Sequence, residues 1–230
     1  MKSTETFSKF LLNRIGRSLF AIVGLLIFAL GSYFQIQANF GMSPWNSLSQ
    51  GLSMNYPVTF GTANIIVSFI IIGIDILMRE PIGIGTILNA IIIGAGTDVY
   101  LAMGFLPTQT TFIGKFLVLM AGIVITCLGQ YVYMKACLSC GPRDSLLVGL
   151  GKKLPKVKIG YVNMALLAMV QVVCLILGSP VGLGTVICVF GTGTITNIVF
   201  GFLKFEPRAL KHEGIPETIA AGKEALKNGF

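Results

Sequence analysis

The sequence predicts an all-α integral membrane protein: six transmembrane helices in two inverted three-helix repeats, each with a short re-entrant or interfacial helix. Three observations predict it. There are six long apolar stretches, a set of short motifs occurs twice about 98 residues apart, and the basic residues gather on one side of the resulting topology. The chain is 54% hydrophobic and 11% charged, with a mean hydropathy of +0.83, whereas soluble domains carry about 25% charged residues. So few polar groups cannot cover a water-exposed surface, and the lipid bilayer is the implied solvent.

About 20 helical residues cross a hydrocarbon core. The stretches that qualify are Leu19–Ala38, Gly61–Met78, Ile84–Phe105, Phe116–Met134, Ile159–Leu177 and Val181–Leu203. The first follows Lys2, Lys9, Arg14 and Arg17 as the apolar part of a signal peptide would. Its apolar run is too long for that, and Gln35-Ile36-Gln37 stands where small cleavage-site residues belong, so it reads as an uncleaved span. Residues 1–16 are then an N-terminal segment, 17–107 and 108–206 the two membrane repeats, and 207–230 a polar tail with a helical pattern over Glu217–Lys227.

The repeat rests on landmarks at a nearly constant offset. Pro44-Trp45-Asn46-Ser47-Leu48 returns as Pro142-Arg143-Asp144-Ser145-Leu146, and Pro81-Ile82-Gly83-Ile84-Gly85-Thr86 as Pro180-Val181-Gly182-Leu183-Gly184-Thr185. Gly31 and Tyr33 match Gly129 and Tyr131, Gly61 and Asn64 match Gly160 and Asn163, and Asp98 falls opposite Asn197. Duplicated halves of this kind are common in solute carriers, whose substrate path follows the repeat interface.

Orientation comes from charge. The N-terminal segment, Arg79, the connection with Lys135, Arg143, Lys152, Lys153, Lys156 and Lys158, and the tail with Lys204, Arg208, Lys211, Lys223 and Lys227 all fall on one side. Residues 39–60, 105–114 and 178–183 on the other side contain no Lys or Arg, and Lys115 sits at a helix boundary. The positive-inside rule places both termini in the cytoplasm of a bacterial cell membrane. Three spans per repeat is an odd number, so the second repeat is inserted upside down. The net charge of +8 serves topology: no basic face with interleaved aromatics points to nucleic acid.

The two Pro segments carry the functional reading. Ser43 suits an N-cap and Pro44 the first helical position. A helix of about ten residues is about 15 Å long, half a bilayer, and the chain before it can dip about 16 Å when extended. Gly141-Pro142 opens the equivalent helix. Two geometries stay open: both helices re-enter and bring their N-termini together at mid-membrane, or both lie flat at the two interfaces, a position that suits Trp45. Convergent N-termini would suit an anion, a carboxylate or a polar neutral solute. The candidate path is Ser43, Trp45, Asn46 and Ser47 from one side and Arg143, Asp144 and Ser145 from the other. Arg143 favours an anion and Asp144 tempers that preference.

Asp98 is a candidate proton- or cation-coupling residue, because a carboxylate in a span costs about 2.5–3.5 kcal/mol at a helix centre; the alternative is a residue reaching headgroups. Asp75 and Arg79 have the spacing of a helical ion pair near the surface. Asn64, Gln130, Asn163 and Gln171 line the path or bond neighbouring helices. Pro44, Pro81, Pro142 and Pro180 break helices, and the Pro-x-Gly-x-Gly motifs end one span and start the next. Cys137 and Cys140 lack the second ligand pair of a structural zinc site, the five cysteines read as buried thiols, and nothing points to a metal, a cofactor or catalysis.

Gly41-Met42-Ser43-Pro44-Trp45-Asn46, Thr59-Phe60-Gly61 and the later Pro-x-Gly-x-Gly-Thr resemble the bacterial YczE/YyaS/YitT family of multipass membrane proteins, and most of all its YczE-like branch without a soluble C-terminal domain. The resemblance spans about residues 15–205 and implies location and topology, with no established binding residues. Three functions compete: a secondary transporter or facilitator of a small polar or anionic solute, a substrate-binding subunit of an ATP-driven uptake system, and an accessory protein supporting export or assembly of another membrane complex. A homo-oligomer is compatible with each.

Overall fold

The computed structural model describes residues 7–176, 178–179, 182–206 and 214–227. Among them are nine helices and no strand: α1 (Phe7–Gln37), α2 (Pro44–Asn55), α3 (Phe60–Leu77), α4 (Ile84–Met103), α5 (Phe112–Lys135), α6 (Pro142–Lys153), α7 (Ile159–Ile176), α8 (Leu183–Phe202) and α9 (Ile215–Lys227). Six are long and apolar enough to cross a membrane, namely α1 from Leu11, α3, α4, α5, α7 and α8. The chain is an integral membrane protein with multiple spans.

Two spans start earlier than the hydropathy pattern predicts. Helix α1 already includes Arg14 and Arg17, because Arg17 donates from Nε and Nη2 to the carbonyls of Ala136 and Cys137, 2.7 Å each, just past the end of α5. Helix α5 starts at Phe112, where the Thr111 side chain accepts the Gly114 N–H at 3.2 Å. Pro44 and Pro142 occupy the first turns of α2 and α6, and Pro81 lies in the break between α3 and α4. Pro180 lies outside the described residues.

Helices α1 and α5 pack along their length, flanked by the α3–α4 and α7–α8 hairpins, while α2 and α6 both wedge between α3 and α7. Glycine makes the α1–α5 approach possible. A Cβ at Gly24 would lie 2.5 Å from the Tyr133 backbone nitrogen, and one at Gly129 equally close to that of Phe28. Small residues let spanning helices gain contact area where lipid supplies no hydrophobic drive between them.

Equivalent residues of the two sequence halves make equivalent bonds. Gly61 N–H donates to Asp98 Oδ1 at 2.8 Å, and Gly160 N–H to Asn197 Oδ1 at 3.2 Å. Gly85 N–H reaches the Leu138 carbonyl at 3.1 Å, and Gly184 N–H reaches that of Phe40 at 2.7 Å. Left-handed backbone recurs in the same register: φ is 47° at Asn39 and 54° at Cys137, 116° at Gly41 and 111° at Ser139, 60° at Arg79 and 69° at Gly178.

The expected Asp75–Arg79 ion pair does not form. Arg79 leaves the helix in the left-handed conformation that ends α3, with Glu80 N–H bonded back to the Asp75 carbonyl at 3.0 Å. Asp75 points inward instead and is fully buried.

Candidate functional site

The loops entering α2 and α6 are pinned by the same device. In the first, Gly41 crosses the start of α8 so closely that a Cβ would lie 2.5 Å from the Thr185 nitrogen. In the second, Ser139 Oγ lies 2.8 Å from Thr86 Oγ1, which also donates to the Cys140 carbonyl at 2.8 Å. The Pro-x-Gly-x-Gly-Thr motifs therefore do more than start spans. Their second glycines donate N–H groups to the entry loops of the opposite half, and their threonines turn back to the N-cap N–H groups of Gly83 and Gly182 at 3.2 and 3.3 Å.

So held, α2 and α6 bury their first turns. Pro44, Asn46, Pro142 and Asp144 are buried, and neither Ser43 nor Gly141 supplies a side-chain cap. Ser43 stands at the N-cap position as its sequence suggests, but its backbone N–H donates to Gln35 Oε1 at 3.2 Å. The two N-termini border one cavity of about 70 Å³, room for a few water molecules or a solute of a few heavy atoms.

Polar side chains from every surrounding span meet there. Gln35 of α1 accepts the Asn46 amide at 3.5 Å and donates to Thr126 Oγ1 at 3.1 Å. Gln130 of α5 donates to Asp144 Oδ1 at 2.6 Å. Arg143 donates to Asn64 Oδ1 and lies 5.3 Å from the Trp45 ring centroid, a cation–π distance. Three lining atoms have no hydrogen-bond partner among the described residues: Arg143 Nε, Asn89 Nδ2 and Ser32 Oγ. Two are obligate donors, and buried polar groups are normally satisfied.

Of the candidates read from the sequence, Ser43, Trp45, Asn46, Arg143 and Asp144 line the cavity, as do Asn64, Gln130 and Asn163. Ser47 and Ser145 are buried but do not line it, and Gln171 lies elsewhere. Asp98 is also away from it. Its carboxylate accepts the Gly61 N–H and, at 2.7 Å, the Thr59 hydroxyl, so it ties α4 to the start of α3. The sequence reading missed Ser32, Gln35 and Asn89. The nearest signal was Gln35 itself, a long amide at the end of an apolar span. Among the described residues no group of three or more His, Cys, Asp or Glu is placed to hold a metal ion. Cys127, Cys140, Cys174 and Cys188 are buried free thiols and Cys137 is partly exposed.

Residues 15–200 match the model of a family of unknown function, DUF6198. The chain is 31% identical over 178 residues to the uncharacterized membrane protein YczE of Bacillus subtilis (strain 168), covering 76% of this chain and 81% of the relative. It is 28% identical over 182 residues to the uncharacterized protein YyaS of the same organism, covering 76% and 88%. An uncharacterized protein of Haemophilus influenzae is 26% identical over 186 residues, covering 79% and 84%. No solved structure matches the chain. The YczE-like resemblance carried by the Pro-Trp-Asn and Pro-x-Gly-x-Gly-Thr motifs is thus borne out: the chain belongs to the DUF6198 family of multipass membrane proteins.

Proposed function

We propose that the protein is a secondary transporter or facilitator of a small polar or anionic solute in a bacterial cell membrane, with both termini cytoplasmic. In this reading its halves are inverted repeats about a pseudo-two-fold axis in the membrane plane, and α2 and α6 re-enter from opposite sides. The reciprocal bonds from Gly85 to Leu138 and from Gly184 to Phe40 support the axis, since each half donates to the other at equivalent positions. The burial of both first turns favours re-entry over helices lying flat.

The observation that carries the reading is the pair of unpartnered donors, Arg143 Nε and Asn89 Nδ2, on a cavity bordered by two uncapped helix N-termini. Donors, a guanidinium and two partial positive charges favour carboxylate or oxyanion groups. Asp144, held by Gln130, supplies an acceptor for a donor elsewhere on the solute. The role is binding and passage, without a chemical step.

The test uses purified full-length protein. A thermal-shift screen of small carboxylates, inorganic oxyanions and zwitterions selects compounds, and flux of each hit is then measured in proteoliposomes. The reading expects at least one stabilising compound to be transported, with Asn46→Ala and Asp144→Ala each abolishing flux at unchanged protein levels. Normal flux in both variants removes the proposed path. No flux of any stabilising compound points to an accessory role, and co-purification with an ATP-hydrolysing subunit to ATP-driven uptake.

A further inference from the structure

One buried ionisable group takes no part in the cavity. Asp75 of α3 is 0% exposed, and no N–H or O–H among the described residues donates to either carboxylate oxygen. An ionised carboxylate without donors in dry protein is among the costliest groups to bury, and such groups neutralise instead. A neutral carboxyl can act only as a donor here, so the question is which acceptor it faces.

The other half of the molecule gives the answer. The residue equivalent to Asp75 is Cys174 of α7, at the offset of 99 that also relates Gly61 to Gly160 and Asn64 to Asn163. Cys174 is fully buried and donates its thiol hydrogen to the carbonyl of Pro44, the first residue of α2, at 3.3 Å. Helix α3 packs on α6 as α7 packs on α2. The register continues beyond the helix ends: a Cβ at Gly51 of α2 would meet Ser179, and one at the equivalent Gly149 of α6 would lie 2.9 Å from Oε1 of Glu80, the equivalent of Ser179. Pro142, at the head of α6, is the equivalent of Pro44.

We infer that Asp75 is a proton-binding latch on α6, its carboxyl O–H donating to the Pro142 carbonyl where the opposite half uses the Cys174 thiol. The inference rests on the carrier reading for its consequence, because α6 carries Arg143 and Asp144 into the cavity. Release breaks the O–H bond, leaves the electron pair on the carboxylate and passes the proton to water at the adjacent membrane face. The helix then loses a donor at its first residue and faces a new negative charge. The surrounding groups oppose that charge. Glu80 and Asp144 are acidic neighbours and the Cys140 thiol is close by. Of the α6 cations, Arg143 is bonded to Asn64 and Lys152 to Glu80 at 2.9 Å, while Lys153 lies at the far end of α6 and Arg79 has left the α3 helix. Helices α2 and α4 add no charged side chain except Asp98, which is bound at the start of α3. Proton release would thus loosen α6 and couple a proton to opening of the cavity.

Trp45 is the only tryptophan and Arg143 of α6 lies against its ring, so its fluorescence reports α6 without any solute. Purified full-length protein in nanodiscs is titrated from acid to alkaline pH while Trp45 emission and thermal stability are followed. The wild type is expected to show a pH-dependent transition in emission. Asp75→Asn, which keeps a donor but cannot ionise, is expected to lose it and keep the acid-form emission, and Asp75→Cys, copying the thiol of the other half, is expected to move it to higher pH. A transition that persists in Asp75→Asn or stays unshifted in Asp75→Cys, or one removed by Asp144→Asn instead, overturns the latch, as does a wild type whose emission is flat with pH. The readout needs no flux, so the latch can fail while the carrier reading stands, and the reverse.

Discussion

Trp45 and Arg143 hold equivalent positions in the two halves of the sequence, and they meet each other, with the guanidinium 5.3 Å from the indole centroid. This pair marks where the first turns of α2 and α6 meet at the cavity. Residues just after them, Asn46 and Asp144, are each bonded to a glutamine of the central pair: Asn46 donates to Gln35 on α1, and Asp144 accepts from Gln130 on α5. The chemistry of the cavity differs between its two sides because equivalent positions carry different side chains, Trp45 against Arg143 and Asn46 against Asp144.

Arg143 is expected to dominate recognition. Arg143→Ala should weaken binding of any anionic hit by about 1.5–3 kcal/mol, the range for hydrogen bonds to charged groups, or roughly tenfold to a hundredfold in Kd. Arg143→Lys should not restore it, because an ammonium cannot serve Asn64, the Trp45 face and a solute in one plane. Isothermal titration or Trp45 quenching with the same compound checks both.

Asp98 should prove to be structural. Asn197 does the equivalent work on α7 with an amide, so Asp98→Asn should keep flux and stability near wild type. Asp98→Ala should cost about 1 kcal/mol, as loss of a helix cap does. Loss of flux in a stable Asp98→Asn protein would return this residue to a coupling role.

The α1–α5 seam should tolerate no added side chain. Gly24→Val and Gly129→Val force a Cβ into partner backbone at 2.5 Å and should each lower stability by about 1–3 kcal/mol or more. Gly73→Val, where nothing lies within 4 Å, is the control. Thermal denaturation of purified protein in detergent separates the cases.

Inversion is testable with single cysteines in a cysteine-free background. Ser47 and Ser145 are buried and would label poorly. Tyr56 and Leu154, equivalent residues just past α2 and α6, are 62% and 50% exposed. Tyr56→Cys and Leu154→Cys should react with membrane-impermeant reagents from opposite sides. Labelling from the same side would remove the inverted arrangement.

Much of the fold was legible in the chain. Length and apolarity located the six spans, since lipid demands about 20 apolar helical residues and an internally bonded backbone. Proline after a small residue located the starts of α2 and α6. The sequence was less informative at span ends, where Arg17 extends α1 by bonding the carbonyls of Ala136 and Cys137, 119 and 120 residues away. It misjudged Asp75, because helical spacing to Arg79 says nothing about a helix that stops in between.

The site divides in the same way. The sequence by itself determined the membrane class, the repeat and five of the seven path residues that line the cavity, because these follow from local composition and short motifs. Tertiary structure decided the rest: that Gln35, Ser32 and Asn89 join them, that Asp98 ties helices together, and that Asp75 faces inward. Those outcomes depend on which spans pack side by side and in what rotation. Lipid-facing and protein-facing positions are both apolar here, so hydrophobic pattern alone cannot set that rotation.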